Sequence, residues 1–509
     1  MLILGEQRPT ALSDTHGATV GSEPTGCPTG EPGGSIGSGP PIVAGGMERT
    51  ARLAVIVAGL SVLACGSETS ETCSLENPRE SCPDALVCEA GPTQPVCVAP
   101  LVVRGRVHDV AGVGIAHALV TALDANGAPV SGTAVSTADG SYELWVPASR
   151  TADGLPTVRS IRLRASAAGF ETFPSGLRRS LPIALSSHVA DSQRLLVQNA
   201  ATDILLGSVP EAAGLGIVSG VVRAPAGQRG VLVVAEGPAV LTAISDIDGA
   251  FTLFNVPAGA YEVRGYAAGV QLAPATAMVG AGQRLDNIAL EIQELPLGEV
   301  SGSVAIVNAP GGSATSVVLV VASTFNENLK RGEVPPGLRA PGGELEPNVN
   351  GAFAIANVPD GHYVVLAAFE NDSLVRDPDT SIGGTQIQYV TVGAQGRNVA
   401  LEAGFKITQA LTVLHPGAGD VPDPMIGVPT FSWQDDSSED GYLLEVLDAK
   451  GITVWQTDVP KMTGGDVSAT YSGPALESGS LYQFRVTSFR RGDIPISQTE
   501  DLRGVFSIP

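Results

Sequence analysis

Four closely spaced cysteines carry the most clearly defined chemistry in this chain. Cys73, Cys82, Cys88 and Cys97 are separated by eight, five and eight residues. These spacings lack the Cys-x-x-Cys pairs that are typical of zinc sites. An even number of close cysteines in an exported chain predicts two disulfides, with three pairings open. The segment is too short for its own apolar core, so we expect the disulfides to hold it together.

The other reactive side chains form no recognisable catalytic or metal-binding motif. The stretch from Gly33 to Gly37 fits the Gly-x-Ser-x-Gly nucleophile pattern, but no strand precedes it and no helix follows it. We therefore expect no catalytic residue, no metal ion and no cofactor. A divergent extracellular hydrolase remains as an alternative, because sequence does not show which carboxylates converge. The six histidines fall in different parts of the chain, outside any metal or triad motif: His16, His108, His117, His188, His362 and His415.

The charge balance excludes one class of partner. The chain has 29 Lys and Arg against 52 Asp and Glu, a net charge of −23. Nucleic-acid binding needs clustered basic residues, so we expect no nucleic-acid partner. The acidic balance is typical of a well-solvated surface.

The apolar run from Leu53 to Ala64 has the features of a secretory signal. Its twelve residues are fewer than the roughly 20 needed to cross a bilayer. It follows a short stretch with two arginines that begins at Met47. Because such signals begin at the amino terminus, we expect translation to start at Met47. Residues 1–46 would then be a doubtful, disordered extension.

The end of this run, Val62-Leu63-Ala64-Cys65, resembles the lipobox of bacterial lipoproteins. The resemblance implies that the signal is removed and that Cys65 is acylated, which anchors the chain in a membrane. It also implies a cell-envelope location. Gly66 stands where an aspartate would retain an enteric lipoprotein in the inner membrane, so the outer membrane or cell surface is favoured. A plain secretory signal followed by a chance cysteine is the alternative.

One strand pattern occurs three times between residues 101 and 405. Each copy begins with a glycine-containing strand. An Asp-Gly or Asn-Gly hairpin turn follows, and then an alternating strand that ends before Val-Pro. Alternation places an aromatic and an aliphatic residue of each copy on one inward face. These predicted core residues are Tyr142 and Leu144, Phe251 and Leu253, and Phe353 and Ile355.

The repeated pattern resembles the carboxypeptidase regulatory-like domain, a small sandwich related to transthyretin. The second copy matches best, through Asp248-Gly249-Ala250-Phe251 and Val256-Pro257-Ala258-Gly259-Ala260-Tyr261. The first copy lacks the second glycine turn, and the third carries an insertion. The family is mostly a non-catalytic structural accessory, so the resemblance implies the same here.

The last hundred residues follow a different pattern. Trp433 lies in an apolar strand, and Leu476, Gly479 and Tyr482 have the spacing of a tyrosine corner. This stretch resembles a fibronectin type III domain. The resemblance implies that Tyr482 bonds back to upstream backbone.

The predicted fold is therefore all-β, with tandem β-sandwich modules after a signal peptide and a short disulfide-rich segment. The predicted ranges are a doubtful extension (1–46), a lipoprotein signal peptide (47–64), an anchor, tether and Cys-rich segment (65–100), three carboxypeptidase regulatory-like sandwiches (101–205, 206–296 and 297–405, the third with an inserted loop at 323–347) and a fibronectin type III-like sandwich (406–509).

The function that these features favour is a non-catalytic binding, adhesion or spacer lipoprotein with a protein or polysaccharide ligand. Carbohydrate binding is an alternative, but it needs exposed aromatic rings, and aromatic residues are only 5% of the chain. Trp145 and Trp455 are the candidate ligand contacts, because the other prominent rings are predicted core. The inserted loop 323–347 is either a partner-facing loop or a disordered insert.

Overall fold

The computed structural model describes residues 73–508, apart from residues 110, 159, 175–179, 181, 192, 210–211, 225–229, 307–314, 328, 330, 343–347, 370–386, 408–409, 420–421, 437–438, 449–451, 463, 479, 491–493 and 500–502. The fold is all-β, as predicted, and the described residues include no α-helix. Within the same residues, no helix is long and apolar enough to cross a membrane. The helical elements are three 3₁₀ turns, Leu185–Ser187, Ala200–Thr202 and Ala322–Thr324.

The disulfide-rich segment, residues 73–98, is built around one hairpin. Its strands pair antiparallel, with Cys88 opposite Cys97. We call this segment the knot. Its strands are β1 (Val87–Ala90) and β2 (Pro95–Val98).

The first module is a sandwich of two sheets. In the first sheet, β3 pairs with β10 and β11 in parallel and with β6 antiparallel, and β9 pairs with β10. The second sheet has the order β5-β4-β7-β8. The strands are β3 (Leu101–His108), β4 (Leu119–Leu123), β5 (Ala134–Val135), β6 (Ser141–Trp145), β7 (Ser160–Ser166), β8 (Ile183–Ala184), β9 (Val189–Asp191), β10 (Arg194–Val197) and β11 (Ile204–Leu205).

The second module has the same two-layer plan in a simpler form. Its sheets have the orders β15-β12-β18 and β14-β13-β16-β17. The strands are β12 (Gly216–Arg223), β13 (Leu232–Glu236), β14 (Val240–Ile244), β15 (Ala250–Val256), β16 (Gly259–Tyr266), β17 (Ala275–Val279) and β18 (Arg284–Glu291).

The third module repeats this plan. Its sheets have the orders β22-β19-β25, with β26 also on β19, and β21-β20-β23-β24. The strands are β19 (Gly298–Ile306), β20 (Thr315–Val321), β21 (Arg339–Ala340), β22 (Gly351–Val358), β23 (Gly361–Phe369), β24 (Gln388–Val392), β25 (Asn398–Ala400) and β26 (Phe405–Ile407).

The fourth module packs a three-stranded sheet, β27-β29-β32, with a six-stranded one, β28-β35-β33-β30-β31 plus β34 on β33. Phe431 lies at the centre of its aromatic core, 4.8 Å from the ring of Phe484 and 5.6 Å from that of Phe506. The strands are β27 (Val413–His415), β28 (Asp423–Pro424), β29 (Thr430–Gln434), β30 (Gly441–Asp448), β31 (Thr453–Pro460), β32 (Asp466–Thr470), β33 (Ser480–Arg490), β34 (Ile494–Gln498) and β35 (Val505–Ile508).

The inward alternation predicted for the repeated strand is confirmed in all three copies. The aromatic and aliphatic residues predicted to form the core are all buried. Each aromatic residue lies directly across from the repeated glycine of the neighbouring strand: Gly105 opposite Tyr142, Gly220 opposite Phe251 and Gly302 opposite Phe353. A β-carbon at any of these glycines would come within 3.0 Å of the partner aromatic side chain. The aromatic side chain thus lies over the backbone at that point, and at Gly105 and Gly220 the backbone carbonyl of Thr202 or Ile288 would lie closer still to an added β-carbon, so only glycine fits.

Candidate functional site

The cysteines of the knot form two crossed disulfides. Cys73 bonds to Cys88 and Cys82 bonds to Cys97, with Cα–Cα distances of 5.6 and 5.7 Å. Of the three pairings that the spacing allowed, this is the one that joins alternate cysteines. Three of the sulfur atoms lie within 4.8 Å of one another, but each is already bonded to another sulfur. Cys65 and the signal segment lie outside the described residues.

The knot is joined to the first module by a buried ion pair. Arg150 Nε lies 2.5 Å from Glu89 Oε2, and the two side chains are 0% and 2% exposed. The guanidinium also donates to the carbonyls of Gly154 and Ala99, each at 3.1 Å. Burial raises the pKa of the Glu89 carboxyl, and its hydrogen bonds from Arg150 and Trp145 offset only part of this effect. A perturbed carboxyl can mark a catalytic acid, but this one is closed to substrate on every side.

Trp145 is one of the two predicted ligand contacts, and it lies in this same joint. Its indole Nε1 is 3.3 Å from Glu89 Oε1, and the guanidinium carbon of Arg79 lies 5.2 Å from its ring centroid. Trp145 faces away from the module's own core, as the alternation predicted, and the knot covers it. The half-buried ring therefore makes contacts within the protein. This position gives no support to its use as an exposed stacking surface for a sugar.

Trp455, the second predicted ligand contact, is held by the fourth module. Its ring centroid lies 4.9 Å from that of Tyr471 in an edge arrangement and 6.4 Å from that of Phe431. A β-carbon at Gly473 would approach the indole to 2.7 Å, so the chain passes directly over the ring. This half-buried tryptophan extends the aromatic core, and its position gives no support to an exposed stacking surface.

The histidines of the described residues do not come together. His108 and His188 contact backbone carbonyls at 2.8 and 2.9 Å, and His362 contacts the hydroxyl of Thr391 at 2.9 Å. In the part of the chain that the structure describes, the knot cysteines are the one group of metal-ligand side chains that converges. Perturbed acids elsewhere have structural causes: the hydroxyl of Thr137 lowers the pKa of Asp139 to about 2 within a hairpin turn.

The residue just before Val-Pro contacts the preceding unit in each of the three repeated modules. Trp145 contacts the knot in this way. Asn255 accepts from the Gly169 amide at 2.7 Å and donates to the Phe170 carbonyl at 2.7 Å, both in a turn of the first module. The carbonyl of Asn357 accepts from the Gly269 amide of the second module at 2.9 Å. Both asparagines have positive φ, 59° and 58°, and each lies where the pairing register of its strand shifts at a bulge. This shared joint position was not recognised from the sequence.

A polar cleft lies between the first and second modules. It has a volume of about 150 Å³ and is lined by hydroxyl side chains together with Arg164 and Asp246. Asp246 Oδ2 accepts from the Thr133 hydroxyl at 2.9 Å, and its other oxygen accepts from the amides of Asp248 and Ala250. The buried carboxylate is therefore satisfied by the fold. Arg164 donates to Glu333 and to the hydroxyl of Thr242, so both charged side chains that line the cleft have partners within the protein.

The described part of the inserted loop 323–347, which was predicted to be either a partner-facing loop or a disordered insert, is largely packed against the protein. Residues 328, 330 and 343–347 lie outside the described residues, but the remainder is packed. Leu338 and Ala340 are buried in the third-module core, and Arg339–Ala340 supplies the edge strand β21. The loop therefore contains part of the sandwich, because β20 would otherwise have an unpaired edge on that side.

This loop also contacts the other three modules. Glu333 lies 2.9 Å from Arg164 of the first module and 2.8 Å from the Thr242 hydroxyl of the second. The carbonyl of Pro336 accepts from Ala268 of the second module. Leu329 is buried with Leu447 and Val505 of the fourth module. We refer to the described part of residues 323–342 as the strap.

No protein-family model and no curated protein matches the chain. Among solved structures, the shaft pilin SpaA from Lactobacillus rhamnosus GG is 11% identical, covering 39% of this chain and 100% of that chain with a TM-score of 0.17. The major pilin subunit BcpA of Bacillus cereus is 10% identical, covering 61% and 99% with a TM-score of 0.16. Two B repeat units of the collagen binding protein of Staphylococcus aureus are 11% identical, covering 79% and 99% with a TM-score of 0.17. Similarities this low carry no argument about function, and the all-β architecture rests on the strands described above.

Proposed function

We propose that this protein is a non-catalytic lipoprotein of the cell envelope, anchored through Cys65, whose β-sandwich modules serve binding, adhesion or spacing. The observation that carries the proposal is the joint between the knot and the first module. Cys73 follows Cys65 by eight residues, and the knot that it begins is tied to the first module by the buried Arg150–Glu89 pair. A lipid at Cys65 would thus hold the modules by a short tether, with their solvated acidic surface away from the membrane.

The module families are part of this proposal. In the second and third modules, the tyrosine of Val-Pro-x-Gly-x-Tyr donates to the proline carbonyl four residues earlier, at 3.0 Å for Tyr261 and 2.9 Å for Tyr363. This shared corner supports the carboxypeptidase regulatory-like assignment for 206–296 and 297–405, and the Gly105–Tyr142 pairing supports it for 101–205. In the fourth module, Tyr482 Oη accepts from the Glu477 amide at 2.9 Å, which supports a fibronectin type III-like domain at 406–509.

The partner that we propose is a protein or polysaccharide outside the cell, in addition to the membrane, and not a nucleic acid. Carbohydrate binding through Trp145 and Trp455 has less support, because both rings are engaged within the protein. A hydrolase has less support as well. The acid and arginine of the polar cleft are bonded to structural partners, which leaves neither poised to act on a substrate.

The test is to express the chain in a lipoprotein-processing bacterium that is fed an alkyne fatty acid. We expect the label, membrane fractionation and an intact mass beginning at acylated Cys65. The variant Cys65→Ser should lose the label, and Cys27→Ser should retain it. Protease added to intact cells should then digest the modules if they face outward. A soluble, unlabelled chain that retains residues 1–46 would disprove the anchor.

A further inference from the structure

The strap touches every module of the described chain, although it belongs to the third. Its carboxylate Glu333 contacts the first and second modules at one point, its Pro336 carbonyl accepts from Ala268 of the second module, and two further hydrogen bonds reach the first module. Gly337 donates to the carbonyl of Asn126 at 3.4 Å, and Arg339 Nη1 donates to the carbonyl of Ala125 at 3.1 Å. These contacts join residues that lie about two hundred positions apart in the chain.

The second and third modules also pack directly against each other. Leu232 and Val234 of β13, with Tyr266 of β16, belong to the same apolar cluster as the core of the third module. Tyr266 and Tyr363 meet edge to face across this joint, with ring centroids 6.1 Å apart. The joint between the second and third modules is thus a continuous core, which is typical of a fixed arrangement.

The first and fourth modules are attached through contacts that are more polar or smaller than this core. The first module meets the second across the polar cleft, where hydroxyls and charges make the contact. The fourth module meets the strap through the small cluster of Leu329, Leu447 and Val505. Polar or small interfaces between domains favour relative motion. The strap adds contacts at both places, beside the hydrogen bonds that Asn255 of the second module makes to Gly169 and Phe170 of the first.

We propose that the strap fastens the first and fourth modules to the second and third, and that release of its contacts with those two modules, with β21 left in the third-module sheet, lets the protein lengthen into a more extended array. The knot and the four modules belong to one compact unit. Release would open the first-module face around Arg164. It would also change how far a bound partner lies from the attachment point of the chain. The device rests on contacts within the chain and does not depend on the proposed anchor or ligand.

The experiment is small-angle neutron scattering of the full chain in contrast-matched detergent, which makes any lipid-bound detergent invisible. The wild type should be compact, with a radius of gyration near the value of about 23 Å expected for one body of this length. The double variant Leu329→Asp with Glu333→Lys should swell, by roughly 1.5-fold if the modules open into a line. The matched control is Glu299→Lys, which places the same charge on an exposed position of the same module.

Hydrogen exchange measured by mass spectrometry separates release from unfolding. Strands β12 and β16 of the second module and β23 of the third should stay protected while the strap residues around Leu329 and Glu333 and the cleft-facing strands lose protection. If the double variant unfolds the third module, the milder pair Leu329→Ala with Glu333→Gln replaces it. An extended wild type overturns the proposal, and so does an unchanged radius in a variant whose strap exchanges freely. Either result leaves the anchoring experiment unaffected.

Discussion

Two Arg–Glu pairs join separate parts of this chain, and they lie in opposite environments. Arg150 and Glu89 are 0% and 2% exposed, whereas Arg164 and Glu333 are 9% and 26% exposed. The pKa of Glu89 is raised, because burial destabilises its charged form by more than Arg150 stabilises it. The pKa of Glu333 is lowered, because the attraction of Arg164 and the Thr242 hydrogen bond together outweigh its burial. The same chemical pair therefore lies at a fully buried joint in one place and at a partly exposed joint in the other, and the pKa of its carboxyl is shifted in opposite directions.

The largest effect is expected when the buried pair is broken. Glu89→Leu leaves the Arg150 charge buried without a counter-ion, and arginine cannot lose its proton. We expect a loss of about 3–5 kcal/mol in the free energy of unfolding, measured by denaturant titration. The matched control is Glu143→Leu, since the Arg104–Glu143 pair is 32% and 48% exposed and should cost at most about 1 kcal/mol. Equal losses in the two variants would contradict the comparison.

A slightly smaller loss is expected from the disulfides of the knot. Each closes a loop of 15 residues, and replacing Cys82 and Cys97 by serine should cost about 3 kcal/mol. Because Glu89 and Arg79 belong to the knot, the joint at Trp145 should loosen at the same time, with faster exchange of the Arg150 amide. Full protection of that amide in the variant would mean that the knot docks without its disulfides.

The partly exposed pair should respond less. Glu333→Gln keeps the shape of the side chain but removes its charge, and so weakens hydrogen bonds worth about 1.5–3 kcal/mol to a charged group. We expect the loss in the strap and the polar cleft, seen as faster amide exchange there, with the core of the fourth module unchanged. The loss should exceed that of Glu143→Leu and stay below that of Glu89→Leu.

Lowering the pH should distinguish the two joints without any mutation, because they respond to it in opposite ways. The stabilisation from Glu333 is present above the ordinary carboxyl value of 4.5 and is lost as the pH falls through its lowered pKa. For Glu89 the raised pKa gives the opposite dependence of stability on pH. The stabilisation from this carboxyl is complete below its ordinary value of 4.5 and declines as the pH rises through the raised value. Hydrogen exchange corrected for intrinsic rates, at neutral pH and near pH 3, should show the strap opening before the knot. Opening in the reverse order would refute the assignment.

Local pattern was enough to predict the strands, their inward faces and the number of disulfides. Hairpin turns, alternation and Val-Pro ends act over a few residues, so Tyr142, Phe251 and Phe353 could be assigned to the core without knowledge of the fold. The tyrosine corner at Tyr482 was predictable for the same reason. The likeness of the three copies also indicated that they share one plan.

The contacts between units depended on the three-dimensional arrangement. The pairing of Cys73 with Cys88 follows from how the hairpin folds, because the spacings alone make the three pairings similar in loop entropy. Alternation showed that Trp145 leaves its own core, but only the docked knot shows what covers it. The inserted loop was predicted to face a partner or to be disordered, because the ion partner of Glu333 lies 169 positions away at Arg164. Such long-range partners leave no local periodicity in the chain, so they emerge only once the modules are packed.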